Sequence, residues 1–447
     1  MKKTISVVLL CLALLSTTFL AGCNKNSSGT KGDPTVTKDS VGYPNAKITL
    51  TWLPQEAFDS TNKPVADYEK KMAVEFVKKN PQVKIEVTAE SVNIQDAMAK
   101  IMVQASSGNA PDLAALDSFT VSSYYKYLQP VDDVMATNNL KIDSWFPFAQ
   151  KVMKPDSKTL AMWYNTDVRV LYYQKSLFPT VPTNWDDLIT QMTALHKSGG
   201  YMFEYPAGQN ETTSCDIWPW FWAQGGKIVD DSGKPVFNEG SNATDMLNTF
   251  NFIKKTVDIG ITPTRVTTYM TDGDMSQDIA GGKVAAFVGG SWLATQLPAV
   301  LGKDVFNKTY AIANIPEVSG STSTTCSGGW TYGVFTKDST KRKLAAQFAI
   351  DTFISDAGMD GYNEASGNLP VRPDVYTKYS FFKSNSTVQQ FSKALETSTV
   401  RPNAPIYNYL STQFQVALAN VIDGKSTPQA ALDAMSKQVN SEYATEK

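Results

Sequence analysis

The side chains best suited to chemistry in this 447-residue chain are tryptophans that stand beside carboxylates and guanidiniums. Trp52 is followed by Gln55 and Glu56, and Asp216 leads a run through Trp218, Trp220 and Trp222. Trp292 follows Gly289-Gly290, where backbone approaches closely, and Trp330 and Tyr332 follow Gly328-Gly329. Asp117, the Asp167/Arg169 pair and Arg372 add charge. This mixture suits a molecule with an apolar C–H face and a rim of hydroxyls. An aromatic plane covers the face, while carboxylates, amides or guanidiniums replace the water lost from the rim. Each residue type also has structural duties. Trp145 and Trp185 abut helix starts and read as packing, as does Trp222 ahead of Gly225-Gly226. Trp218 and Trp220 share a face only in an extended segment, so one of them is expected at a cleft. Asp167 and Arg169, two apart in a strand, face the same way and pair with a ligand or with each other.

Other chemistries are poorly served. His196 is the only histidine, and its setting before Lys197-Ser198-Gly199-Gly200 reads as a helix end. A His-rich zinc site or a Ser-His-Asp triad is hard to build from it; no metal and no cofactor is expected. Phosphate calls for a Gly-rich helix start or clustered Arg and Lys, and neither is evident. A polyamine wants more acids between the aromatic rings. A secreted glycoside hydrolase uses the same platforms with two carboxylates roughly 5 to 9 Å apart. No motif pairs two acids in a catalytic context, so the hydrolase and the polyamine binder stand as alternatives to a binder of hydroxylated rings.

Lys2 and Lys3 precede a mostly apolar stretch, residues 7–20, too short for a membrane span, and then Leu20-Ala21-Gly22-Cys23. This resembles a bacterial lipoprotein signal: residues 1–22 are removed and Cys23 is acylated, its chains anchoring the protein stably where one chain is marginal. An uncleaved anchor helix is the competing reading, and the Leu-Ala-Gly-Cys ending weighs against it. Loss of two lysines takes the formal charge from -2 to -4, mild for this length, so no nucleic-acid partner is implied. With Cys11 removed and Cys23 acylated, Cys215 and Cys326 remain outside the reducing cytosol, free to form a disulfide or to stay as buried thiols.

The length calls for two domains. Residues 24–46 are Ser, Gly, Thr, Lys and Asp with few large apolar residues, which predicts a flexible tether over 23–45. From Lys47 the chain reads strand (47–52), helix (67–80), strand (83–87), helix (94–106), strand (112–116), the pattern of a parallel sheet covered on both faces. Ligands bind beyond the carboxyl ends of such strands, which brings Trp52 and Asp117 to one rim. Residues 159–175 predict a long strand with polar residues in its middle, suited to crossing between two lobes. Residues 327–335 predict a second crossing strand, and 282–290 a buried one leading to Trp292.

Several segments then resemble the solute-binding proteins of sugar ABC importers, the maltose-binding-like family. They are Ser106-Ser107-Gly108-Asn109-Ala110-Pro111-Asp112, Leu128-Gln129-Pro130-Val131-Asp132-Asp133, and Val170-Leu171-Tyr172-Tyr173-Gln174-Lys175-Ser176-Leu177-Phe178 with Val181-Pro182-Thr183-Asn184-Trp185-Asp186-Asp187-Leu188. Phe221-Trp222-Ala223-Gln224-Gly225-Gly226, Gly281-Gly282-Lys283-Val284-Ala285-Ala286, Gly289-Gly290-Ser291-Trp292 and Gly367-Asn368-Leu369-Pro370-Val371-Arg372 follow in order. Gln174 takes the family's usual asparagine place, and Asn184 is inserted before Trp185. The resemblance implies an α/β, two-lobed periplasmic-binding-protein-like fold with a hinge of crossing strands and a ligand cleft between lobes. Lobe 1 is expected at 46–163 plus 335–370, and lobe 2 at 164–334 plus 371–447. The implied protein is a monomeric binder of an oligosaccharide that serves the membrane subunits of an ABC importer, lipid-anchored at the extracellular face and not an enzyme. Its implied ligand residues are Trp52, Asp117, Asp167, Arg169, Asp216, Trp218, Trp292, Trp330, Tyr332 and Arg372, with Asp117 and Asp167 at places where the family sets acidic sugar ligands.

Overall fold

The computed structural model describes residues 32–88, 93–321 and 323–445. The expected signal segment 1–22, the acylated Cys23 and the first part of the tether lie outside the described residues. The second part of the tether is folded. Strands β1 (Thr35–Val36) and β2 (Ser40–Gly42) form a hairpin, and β2 continues antiparallel onto Lys84–Glu86. Val41, wholly buried, supplies the apolar seat that the polar composition around it hides.

The alternating residues after Lys47 form β3 (Ile48–Leu53), followed by β4 (Val83–Val87), β5 (Leu113–Asp117) and β6 (Ala161–Trp163). Helix Lys63–Lys79 lies between β3 and β4, begins with a proline in its first turn and buries Val65, Ala73, Phe76 and Val77. Helix Ile94–Ser106 is capped by Asn93, whose side chain accepts from the Asp96 N–H at 3.0 Å. The later strands are β7 (Arg169–Gln174), β8 (Met202–Glu204), β9 (Val284–Gly290), β10 (Tyr310–Ala313), β11 (Thr325–Ser327), β12 (Trp330–Val334) and β13 (Ser398–Val400).

The first sheet has the order β1-β2-β4-β3-β5-β12-β6, and the second β10-β7-β9-β8. In the first, β3 runs parallel to both β4 and β5, while β12 is antiparallel to β5 and β6. A small third sheet pairs β11 parallel with β13. The single strand expected over 159–175 is thus two strands, β6 in the first sheet and β7 in the second, joined by residues 164–168. The strand expected over 327–335 divides in the same way, into β11 and β12. The dividing point is steric. Gly329 has φ 133°, and a Cβ there would lie 2.0 Å from the Asn165 carbonyl oxygen, so only glycine lets the two crossings touch. Thr166 Oγ1 donates to the Gly328 carbonyl at 2.8 Å, and Thr166 also bridges Leu369 in the third passage between the sheets.

Candidate functional site

Beyond the ends of β3 and β5 and beside the crossings lies a cavity of about 140 Å³. The first sheet supplies Gln55 and Glu56 after β3, Asp117 at the end of β5, and Trp330 at the start of β12. Trp330 is directly opposite Asp117 in the β12/β5 register. The crossing supplies Asp167, and the second sheet Arg169, opposite Gly290 in register, with Trp292 two residues beyond β9. A Cβ on Gly290 would meet the Trp292 ring at 2.4 Å, which is why the indole folds back over the strand end. Helix Glu211–Trp222, capped by Asn210, turns Glu211, Thr212 and Cys215 toward the cavity. Arg401, one residue after β13, closes the floor.

Two arginine-centred clusters set the electrostatics. Arg169 touches Asp167 Oδ1 through Nη1 at 2.5 Å and Asp216 Oδ1 through Nε at 2.5 Å, and its guanidinium lies 4.5 Å over the Trp292 ring. Burial, with the charge of Asp272 second, pushes the Asp216 carboxyl well above the usual carboxylate range. Burial also raises Asp272, less far, because Arg169, a hydrogen bond from Asp216 and the Gly290 N–H favour its anion. Arg401 Nη2 donates to Asp117 Oδ1 at 2.6 Å and Nη1 to Glu211 Oε1 at 3.2 Å, with the guanidinium 4.5 Å over Phe119. Glu211 also accepts from Tyr407 Oη at 2.7 Å and Ser411 Oγ at 2.5 Å. Burial pushes Asp117 up to about 6, against the pull of Arg401. The Arg401–Asp117 pair joins the third sheet to the first. Asn93 Nδ2 to the Gln209 carbonyl (3.3 Å) and Gln95 Nε2 to Glu211 Oε2 (3.2 Å) reach across in the same way.

Of the ten residues singled out in the sequence, Asp117, Asp167, Arg169, Trp292 and Trp330 line this cavity. The other five do not. Trp52 is wholly buried among Phe58, Phe348 and Phe353 and donates its indole N–H to Tyr332 Oη at 3.3 Å. It sits one residue before the end of β3, facing the covered side of the sheet instead of the rim. Tyr332 is two residues deeper than Trp330 on the same strand face and stacks on Tyr164. Trp218 lies on the inner side of its helix, stacked 4.0 Å from Phe414, and donates to Tyr407 Oη at 2.9 Å. Asp216 stands behind Arg169. Arg372 is tied to Asp356 at 2.6 Å and Asp374 at 2.7 Å, over Trp145. Trp185 stacks on Phe252, as packing predicts.

The cavity also brings in residues not singled out: Glu211, Arg401, Thr212, Gln296 and Asn368. Asn210-Glu211 is a helix-cap signal that a reading for helix starts would have found. Arg401 stands alone between Val400 and Pro402, with no local sign of its two distant partners. Among the described residues, no three His, Cys, Asp or Glu side chains gather as metal ligands would. The arrangement offers two indole planes, two guanidiniums and four carboxylates around a small enclosed volume, which is equipment for holding a polar ring.

The profile of the family described as bacterial extracellular solute-binding protein matches residues 71–390. A probable ABC transporter-binding protein of Deinococcus radiodurans is 26% identical over 318 residues, spanning 67% of this chain and 72% of the relative. The maltodextrin-binding protein MdxE of Bacillus subtilis is 23% identical over 387 residues, 83% of this chain and 86% of the relative. Among solved structures, maltose-bound MalE3 of T. maritima superposes with a TM-score of 0.75 at 20% identity, covering 88% of this chain and 99% of that one.

Proposed function

The chain belongs to the bacterial extracellular solute-binding proteins, and from that premise we propose that it captures an oligosaccharide of the maltodextrin class and delivers it to the membrane subunits of an ABC importer. The observation that carries the reading is the meeting of Trp292 and Trp330, from different sheets, across a cavity rimmed by Asp117, Asp167, Arg169 and Glu211. Each indole covers the C–H face of one sugar unit, so two platforms suit more than one unit. The carboxylates and guanidiniums take the hydroxyls. The names of two of these proteins, the maltodextrin-binding MdxE and the maltose-bound MalE3, support this choice of solute.

The enclosed volume of about 140 Å³ is well below the ~300 to 1,000 Å³ of ordinary ligand pockets. An oligosaccharide is therefore admitted by separation of the two lobes about the crossings at 164–168, 328–330 and 369, and it takes the place of the direct contacts at Arg401, Gln95 and Asn93. We take lobe 1 as the first sheet with its helices and lobe 2 as the other two sheets with theirs, which moves β12 (Trp330–Val334) from the expected lobe 2 into lobe 1. Three of the four cavity carboxylates are engaged with arginines, Asp117 and Glu211 sharing Arg401 and Asp167 holding Arg169, while Glu56 accepts from Ser60 Oγ and Asn62 Nδ2. That engagement favours binding over hydrolysis, so the protein is read as a carrier without enzymatic activity. No helix among the described residues is long and apolar enough to cross a membrane. Acylation at Cys23 would hold the protein, a monomer, at the extracellular face.

Calorimetric titration of the purified protein with glucose, maltose, maltotriose, a polyamine and phosphate tests the proposal. Tight binding of the maltodextrins that weakens in Trp292→Ala and in Trp330→Ala is expected. Equal affinity for glucose and its oligomers refutes the multi-unit cleft, binding of the polyamine alone overturns the solute, and release of glucose over hours makes the protein a hydrolase.

A further inference from the structure

Two buried thiols meet at the back of the cavity. Cys215 lies on helix Glu211–Trp222 and lines the cavity, and Cys326 is the central residue of β11, fully buried. The helix packs against this strand, so the two cysteines lie on facing elements, and Cys326 Sγ donates to the Ser327 carbonyl at 3.8 Å. Both are unbridged in the structure. The surroundings oppose and assist reaction at once. Burial pushes the Cys215 thiol up, while the Arg401 and Arg169 guanidiniums favour its thiolate. The family works outside the cytosol, where disulfides persist.

We propose that Cys215 and Cys326 form a reversible oxidation site, closed to a disulfide by an oxidised low-molecular-weight thiol. One cysteine, as thiolate after losing its proton to solvent, attacks a sulfur of the oxidised thiol, here glutathione disulfide, and one reduced glutathione leaves. The second cysteine, likewise deprotonated, attacks the protein sulfur of the mixed disulfide and releases the second glutathione. Two electrons pass from the cysteine pair to the small disulfide, and the two protons end on the released thiols. A bond of about 2.05 Å needs the two Cβ atoms at roughly 3.5–4.5 Å, which the packing of the helix on β11 serves. The bridge would fasten the helix that presents Glu211 and Thr212 to the strand that runs directly into the Gly328-Gly329 crossing. Oxidation therefore acts on the hinge as well as on the cavity wall.

The test is peptide mapping of the reduced full chain after exposure to excess glutathione disulfide, with alkylation of remaining thiols before digestion. A cross-linked pair of peptides carrying Cys215 and Cys326, two hydrogens lighter than their sum and lost on dithiothreitol treatment, is the expected result. The melting temperature rises by several degrees with it and falls back on reduction. Cys326→Ser abolishes both the cross-link and the rise, leaving Cys215 as a free thiol or a glutathione adduct. Recovery of both cysteines of the unsubstituted protein as alkylated thiols, or as two separate glutathione adducts, overturns the proposal. None of these readouts depends on the identity of the solute.

Discussion

Arg401→Ala removes the one guanidinium between Asp117 and Glu211. Arg401, Asp117 and Glu211 are 6%, 3% and 0% exposed, so water does not replace it freely. Glu211 keeps the Tyr407 and Ser411 hydroxyls, whereas Asp117 is left with a 3.5 Å contact from Ser118 Oγ. Removing one partner of a buried pair in this way destabilises by about 3–5 kcal/mol. The unfolding entropy, about 2.1 cal/mol/K per residue, is roughly 0.9 kcal/mol/K for a chain of this length, so the melting temperature should fall by about 3–5 °C at neutral pH. The sign of the pH dependence follows from Asp117. Its carboxyl is raised from 3.8 to about 6 in the fold, so the native state prefers it protonated; its contribution is fully present below pH 3.8 and is lost as pH rises through 6. Without Arg401 the preference strengthens, and the deficit of the variant shrinks as the solution is acidified. Scanning calorimetry of Arg401→Ala, Asp117→Asn and the double variant measures this. The double variant should be less destabilised than the two losses combined by about 1–3 kcal/mol. A single variant that melts with the parent, or losses that simply add, would refute the reasoning.

Trp292→Ala should weaken maltotriose binding by about thirtyfold, the roughly 2 kcal/mol expected for a central aromatic contact, as read by calorimetric titration. Trp52→Ala should lower stability by about 3–5 kcal/mol through its buried cavity, yet leave the solute dissociation constant of the folded fraction unchanged. A loss of affinity equal to that of Trp292→Ala would return Trp52 to the cleft. Glu317 is 3% exposed and accepts from the Thr324 N–H at 3.0 Å, and burial pushes its carboxyl from 4.5 up to about 8. Its contribution to stability is present below 4.5 and lost as pH rises through 8, so the parent's melting temperature should decline over that window while that of Glu317→Gln declines less.

Much of the frame was legible because its signals are local. Alternation after Lys47 marked β3, the Gly108 stop closed helix Ile94–Ser106, and the unbroken apolar run before Trp292 marked β9. The residues of the cavity were half legible. Trp292 and Trp330 follow glycine pairs at strand ends, which places them at a rim whatever the lobes do. Trp52 and Trp218 carry the same residue type, but their depth depends on where β3 stops and on which side of its helix Trp218 falls. Those are matters of one or two residues. Glu211 and Arg401 are 190 positions apart and meet only because β13 pairs with β11. The folded β1/β2 hairpin was hidden for a related reason: Val41 is one of few apolar residues in a polar stretch, and its value lies in the strand that receives it.

The placement of β12 has a consequence in time. It is the middle layer between β5 and β6, and its Thr331 hydroxyl bonds to the Leu116 carbonyl across 215 positions of sequence. A nascent chain that has reached residue 163 already contains every other strand of the first sheet, yet β6 cannot join the rest until β12 arrives between it and β5. Such non-local pairing must wait for a long loop to close, which makes folding intrinsically slow. For a member of an extracellular family, the consequence is that the first sheet is completed only after β12, at residues 330–334, has crossed the membrane.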